Sequence, residues 1–340
     1  MDSLTQIVLG AACGEAVLGK KIGNKALLFG AIGGTIPDLD VLVGGFLYGN
    51  EIDTMLFHRG FMHSILFSIL GAFAFGWLVY KIYNSGKREG TTLQKDWILL
   101  FFWALFTHPI LDSFTPYGTQ LFAPFSNYRV AFNNIAVADP LYTLPFLISM
   151  IGLMFFKRTS IKRRLWLKWG IGISSVYMIF TIGNKFYMDA IFEKSLADTQ
   201  VNYTRYSCQP SIFNTILWYG IAETESSYRV AFYSLFDSTN RFSEWMEIPK
   251  TRAITKEEYR DIKDLAWFSK DYFNVIEIET DKYVYNDLRY PLVKTKQGYE
   301  SVFSLLLFKE NDRLNMEEFE PKVDDFNEAM SNLWERIKGI

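Results

Sequence analysis

The chain has 340 residues, a net charge of −2, 49% hydrophobic and 17% aromatic residues, three histidines and two cysteines. A near-neutral balance gives no electrostatic pull toward nucleic acid, so no nucleic-acid partner is expected. Two cysteines, Cys13 in an apolar stretch and Cys208 in a polar one, make neither a disulfide framework nor a four-thiolate zinc site.

The apolar residues are unevenly spread. Residues 1–183 hold nearly all the long apolar runs, and 184–340 are mixed and charged. A spanning helix needs about 20 apolar residues, and stretches 26–47, 61–83, 97–111, 140–156 and 165–183 qualify as candidates. A sixth stretch, 4–18, is shorter and rich in Gly and Ala, which suits a tilted helix or one packed closely on its neighbours. The start lacks the basic residues and cleavage site of a signal peptide, so the first stretch is expected to be retained. The expectation is a polytopic all-α membrane domain of about five or six helices over 1–183. A soluble α+β domain with a small antiparallel sheet follows over 184–340.

Three basic groups set a direction across the membrane. They are Lys20, Lys21 and Lys25; Lys81, Lys87, Arg88 and Lys95; and Lys157, Arg158, Lys162, Arg163, Arg164 and Lys168. Positive charge stays on the cytoplasmic side. With all three groups placed there, the loops 48–60 and 113–139 and everything after Gly183 fall outside the cytoplasm. In the second half, 185–199 reads as a helix, 215–222 and 228–236 as strands around the turn 223–227, 274–279 and 301–308 as further strand, and 321–337 as a closing amphipathic helix.

All three histidines lie beside carboxylates at the edges of apolar stretches. The groupings are Asp38 and Asp40 after Pro37; His58, Arg59, Gly60 and His63; and His108, Pro109 and Asp112. Ionisable side chains in a lipid-embedded segment are costly and mark function by default, and His with Asp is the donor set of a zinc or manganese site. His108 and Asp112 are four apart and share a helix face. His58 and His63 are five apart, about 140° around a helix, so they converge only if His58 is in a loop, which Gly60 permits. Asp139 before Pro140 reads equally as a helix cap or a ligand. His63 could be a hydrogen-bonded core histidine, Asp38 and Asp40 could pair with Arg59, and Asp2 and Glu15 are weaker site candidates. No Gly-rich phosphate loop, His-Glu-x-x-His helix or Gly-x-Ser-x-Gly elbow is present.

Several short motifs then fall in a familiar order: Met1-Asp2-Ser3-Leu4-Thr5-Gln6, Ile36-Pro37-Asp38-Leu39-Asp40, His58-Arg59-Gly60 with His63-Ser64, the run from His108 to Gly118, and Asp139 to Pro145. Over about residues 1–160 they resemble the YdjM-like family of bacterial inner-membrane metal-dependent hydrolases. The family in turn resembles, distantly, the all-helical zinc-dependent phospholipase C fold. That relation implies phosphoester hydrolysis at a site of two or three metals. One departure is Gln6, where many members carry His.

The expected ligands are Asp38, Asp40, His58, His63, His108, Asp112 and Asp139, holding a divalent metal, zinc foremost, as one to two or more ions. Asp40 is the expected general base and Arg59 the group that neutralises a substrate phosphate. A site toward the outer membrane face suits membrane lipids as partners and a phospholipid or lipid-linked phosphate as substrate. The rival expectation is a non-catalytic membrane protein with a structural metal or polar cluster and a partner-binding outer domain. A transporter fits less well, because a cluster on one side lines no through-path.

Overall fold

The computed structural model describes residues 1–295, 298–319 and 326–340. The chain divides into two compact units, Met1–Gly44 with Phe57–Ile182, and Gly45–Leu56 with Gly183–Ile340.

The first unit is helical. Helix α1 (Ser3–Ile22) starts where the Asp2 carboxylate accepts the Thr5 N–H at 3.0 Å, and it ends at Gly23, whose φ of 63° suits glycine. It packs on α2 (Asn24–Thr35) through glycines: a Cβ on Gly30 would lie 2.2 Å from the Gly10 carbonyl oxygen, and one on Gly14 would lie 2.0 Å from that of Ala26. Only hydrogen at these positions lets the two backbones approach so closely. After α2 the chain makes one 3₁₀ turn, Pro37–Leu39, and continues as α3 (Asp40–Leu47), bent by 42°. Proline at the start of that turn contributes no N–H to a continuing helix. Helix α4 (Glu51–Phe57) is short. Helix α5 (Ile65–Tyr83) is capped by Ser64, whose hydroxyl accepts the Phe67 N–H. Helices α6 (Gln94–Asp112), α7 (Pro140–Met154) and the 39-residue α8 (Ile161–Thr199) complete the set. A buried ion pair joins α1 to α8, Arg163 Nε and Nη2 donating to Glu15 Oε1 and Oε2 at 2.7 and 2.6 Å. Asn24 Oδ1 and the carbonyls of Leu153 and Phe156 take up Nη1 of the same guanidinium. Glu15 is therefore a structural staple and no part of the His/Asp cluster.

Among the described residues, two helices, α5 and α8, are long and apolar enough to cross a membrane, and the bent α2–α3 pair makes three if it counts as one span. Helix α7 has the composition but only 15 residues, and α6 carries Lys95, Asp96 and Asp112 near its ends. The expected count of five or six is thus not reached by length and composition alone.

The second unit holds two modules, each a helix on a four-stranded antiparallel sheet. The last turns of α8 cover strands β1 (Arg205–Pro210), β2 (Leu217–Glu223), β3 (Ser227–Ser234) and β4 (Ser243–Pro249), ordered β1-β2-β3-β4. Met188, Ile191, Phe192 and Leu196 of α8 bury against Cys208, Trp218, Ala222 and Ala231. Gly220 is where Phe192 presses on the sheet, since a Cβ there would sit 2.2 Å from its ring. In the second module α9 (Arg260–Phe268) packs on β5 (Phe273–Glu279), β6 (Lys282–Asp287), β9 (Ser304–Glu310) and β10 (Arg313–Glu318), ordered β10-β9-β6-β5. The hairpin β7 (Leu292–Thr295) and β8 (Gly298–Ser301) is inserted between β6 and β9. Segment 45–56 belongs here, with Ile52 in the core beside Ile262, Leu265 and Val275, and Asp53 paired with Arg313 at 2.7 Å. Helix α10 (Phe326–Ile337) closes the chain; the start of the expected 321–337 helix, residues 321–325, lies outside the described residues. Helix 185–199 is no separate element, because α8 runs through Gly183 without a break. A mid-helix glycine costs only about 1 kcal/mol relative to Ala.

Candidate metal centre

Three short breaks in the helices bring the acidic and imidazole groups together. Asp38 stands on the 3₁₀ turn after α2 and Asp40 opens α3. Between α4 and α5 the chain turns at Arg59, φ 60°, and Gly60, and a second 3₁₀ turn, Phe61–His63, delivers His63. His108 and Asp112 lie on successive turns of α6. Pro109 does not break α6 there. Its missing N–H leaves the Leu105 carbonyl without its helical donor, and the Ser68 hydroxyl of α5 donates to that carbonyl at 3.1 Å.

Four donor atoms face one point: Asp38 Oδ1, His63 Nε2, His108 Nε2 and Asp112 Oδ2. Asp38 Oδ1 is 3.3 Å from each Nε2, Asp112 Oδ2 is 3.4 Å from each, and the two Nε2 atoms are 3.1 Å apart. Ligands at about 2.0–2.1 Å around a tetrahedral ion are separated by about 3.3–3.4 Å along each edge. Four edges of the quartet therefore have that length, and the edge between the two imidazoles is slightly shorter at 3.1 Å. Three of the four side chains are essentially fully buried, and Asp38 is 21% exposed.

The surroundings prepare these atoms as ligands. His108 Nδ1 is 2.6 Å from the Gly34 carbonyl oxygen. A carbonyl only accepts, so Nδ1 carries the proton and Nε2 presents a lone pair to the quartet. Asp112 Oδ1 accepts Gln6 Nε2 at 2.9 Å and contacts the Met1 amino nitrogen. Its Oδ2 is buried with no hydrogen-bond partner, as is His63 Nδ1. A buried carboxylate oxygen that accepts no hydrogen bond, beside two imidazole nitrogens that face each other at 3.1 Å, is costly. A cation at their centre would satisfy all three at once. The residues thus fit a divalent metal.

Asp40 stands one layer out. It accepts the Arg59 backbone N–H on Oδ2 at 2.9 Å and His58 Nδ1 on Oδ1 at 2.7 Å. Its Oδ2 also lies 3.0 Å from His63 Nδ1, out of line for a hydrogen bond. Asp40, His58 and His63 form a second group that could hold an ion, sharing His63 with the quartet. His58 is the most open histidine, at 22% side-chain exposure.

Of the seven expected ligands, the structure gathers six into these two overlapping groups. Asp139 stands outside both. Its Oδ1 caps α7 by accepting the Leu141 and Tyr142 N–H groups, and its Oδ2 accepts the Tyr177 hydroxyl at 2.9 Å. The helix-cap reading of that residue holds. Arg59 is buried and engaged, with Nε 3.4 Å from Asp112 Oδ2, Nη1 donating to Thr115 at 3.0 Å and the guanidinium 4.7 Å from the Tyr117 ring centre. Thr115 and Tyr117 were not among the expected site residues. Gln6, marked in the sequence as a departure from the His of many similar proteins, meets the site by donating to Asp112 Oδ1 and the His108 carbonyl.

The YdjM inner membrane protein family matches residues 1–187, and the chain belongs to it. Among curated proteins, the chain is 31% identical over 150 residues to the uncharacterized protein YfhP of Bacillus subtilis (strain 168). That match covers 41% of this chain and 42% of YfhP, so the chain spans less than half the length of this relative. No solved structure matches.

Proposed function

We propose that the chain is a multi-pass membrane hydrolase that cleaves a phosphoester at one divalent ion, of the zinc class, held by Asp38, His63, His108 and Asp112. The observation that carries this reading is the quartet of donor atoms with five edges between 3.1 and 3.4 Å. Bound there, such an ion supplies Lewis acidity toward a phosphoryl oxygen and acidifies water. The rest is done by the protein. Asp40 holds the proton of His58 on Nδ1, which leaves Nε2 to accept and return a proton at the open side of the site. This replaces the expected role of Asp40 as the base with that of an orienting carboxylate. Arg59 balances the charge of Asp112, and its Nη2, whose contact to the Met1 carbonyl is a long 3.5 Å, is the donor offered to a substrate phosphate.

The reading keeps the second unit outside the cytoplasm. It is supported by the basic residues gathered at one end of the helices: Lys20 and Lys21 end α1, Lys81 ends α5, and the run 157–168 covers the α7–α8 loop and the first turns of α8. One observation favours a non-catalytic metal protein: three of the four quartet residues have no more than 1% of their side chain exposed. Purified protein in detergent separates the two readings. A catalytic site binds metal and cleaves at least one member of a phosphoester panel, with loss of cleavage but not of metal in His58→Ala. A structural site binds metal, cleaves nothing, and loses only thermal stability when the metal is stripped.

A further inference from the structure

The open side of the site is bordered by apolar side chains that stay exposed, although one of them, Phe61, also packs edge-on against Phe67. Leu39 lies between Asp38 and Asp40 at 42% exposure, and Leu42, one turn on, is 71% exposed. Phe61, two residues before His63, is 39% exposed. The third part of the border is a hairpin over 119–130. Thr119 and Val130 exchange both backbone hydrogen bonds, and Phe122 and Phe125 in the intervening loop are 53% and 84% exposed. Residues 121–128 contain no charge.

This hairpin is tied to the site by its backbone. The Gln120 N–H donates to the Arg59 carbonyl, and Arg129 Nη2 donates to the His58 carbonyl at 2.9 Å. The Leu121 carbonyl accepts the Ile65 N–H, the first amide of α5. Its aromatic loop is therefore fixed at the head of a helix long and apolar enough to span the bilayer. Along α5 the exposed surface continues as Ile69, Leu70, Phe73 and Trp77. One apolar surface thus runs from a lipid-facing span up to the edge of the His/Asp cluster. Phenylalanines exposed in water over such an area would be an aggregation liability, whereas at the interface of a leaflet they are anchors.

We propose that the mouth of the site opens into the leaflet at the N-terminal end of α5, with Leu39, Leu42, Phe61, Phe122 and Phe125 immersed among lipid. A ligand then enters sideways from the bilayer and presents its polar head to Asp38 and His58, the two partly open members of the cluster. Taken with the hydrolase reading, on which this step rests, the substrate class is a membrane lipid carrying a phosphoester head group rather than a phosphate ester free in water.

The immersion is tested without reference to activity. Phe125→Cys and Leu42→Cys are made separately in a Cys13→Ala background, nitroxide-labelled, and placed in lipid nanodiscs. A label at Lys282→Cys, the exposed first residue of β6, is the aqueous reference. Collision with oxygen, which concentrates in lipid, should exceed collision with a water-soluble nickel chelate several-fold at 125 and 42 relative to 282. Labels at 125 and 42 as accessible to nickel as the one at 282 would overturn the proposal, whatever the protein hydrolyses. A second arm compares a vesicle-borne lipid phosphoester with a soluble aryl phosphodiester. The double variant Phe122→Ser, Phe125→Ser should lose more rate on the first than on the second, and an equal loss on both would remove the lipid-entry claim. Cleavage of neither substrate, with the labels still lipid-exposed, would refute the hydrolase reading and leave the immersion standing.

Discussion

Replacing Asp40 by Asn separates an orienting carboxylate from a metal ligand. The carboxylate accepts two buried donors, the Arg59 N–H at 2.9 Å and His58 Nδ1 at 2.7 Å. An amide has one acceptor oxygen and an NH2 group that only donates. If the oxygen faced His58, the NH2 would meet the Arg59 N–H donor to donor, which leaves a buried amide unpaired at a cost of about 1–3 kcal/mol. The cheaper arrangement keeps the oxygen on the Arg59 N–H and turns the NH2 toward His58. His58 must then accept at Nδ1 and carry its proton on Nε2, where it can no longer take one from the reacting water. Turnover should fall by about 10² or more, the typical contribution of a positioned acid–base group. Metal content should stay at that of wild type, since Asp40 hydrogen-bonds His58 and the Arg59 amide and none of the four quartet residues. The assay pairs metal analysis and turnover on a phosphoester with ¹⁵N spectra of the histidines, which report the change of tautomer directly. If Asp40→Asn strips the metal as completely as Asp112→Asn, Asp40 is itself a ligand and a second ion on Asp40, His58 and His63 becomes the better account. Unchanged turnover with a flipped His58 would refute the proton-transfer role.

Other outcomes follow from the packing. Glu15→Gln leaves the Arg163 guanidinium buried without its counter-charge, and thermal denaturation in detergent should show a loss of about 3–5 kcal/mol with metal content intact. Gly30→Ala puts a methyl group against the Gly10 carbonyl and should cost about 1–3 kcal/mol by forcing α1 from α2; an unchanged melting temperature would show that those helices are not in contact. In the second unit, burial and then the neighbouring Arg289 charge push the Lys270 ammonium down to about 8 from 10.5. The charged form is disfavoured in the fold, so its cost is complete below pH 8 and fades as pH rises toward 10.5. Lys270→Met should therefore raise the melting temperature at pH 7, by no more than about 3 kcal/mol of stability, with the gain vanishing near pH 10.5; a gain independent of pH would point to packing instead.

What the sequence disclosed follows from how local each signal is. Asp38, His63, His108 and Asp112 stood out because charge inside apolar sequence is costly and rare, and all four meet in space. The relation between them was harder to read. Asp40 and Asp38 are two residues apart and chemically alike, and the passage from the 3₁₀ turn Pro37–Leu39 into α3 turns one toward the quartet and the other toward His58 and the Arg59 amide. Arg59 looked free in sequence because its partner, Asp112, is distant along the chain. Asp139 carried two readings, and the Pro140 that made it a good cap also explains why its carboxylate is spent on α7. In the second unit the strands with clear apolar patterns, β2, β3, β5 and β9, were legible. Strands β1, β4 and β10 were not, since residues such as Arg205, Glu247 and Arg313 give them mixed patterns that only pairing with a neighbour resolves.

The central claim is that Asp38, His63, His108 and Asp112 hold one metal ion. Its most direct test is cobalt substitution of the purified protein, read by metal content and visible absorption. About one ion per chain is expected, in a four-coordinate, intensely absorbing environment. His108→Ala and Asp112→Asn should each abolish the spectrum, and Asp139→Asn should leave it unchanged. Wild-type protein that binds no cobalt and gains no thermal stability from it, or a spectrum that survives loss of His108, would contradict the account.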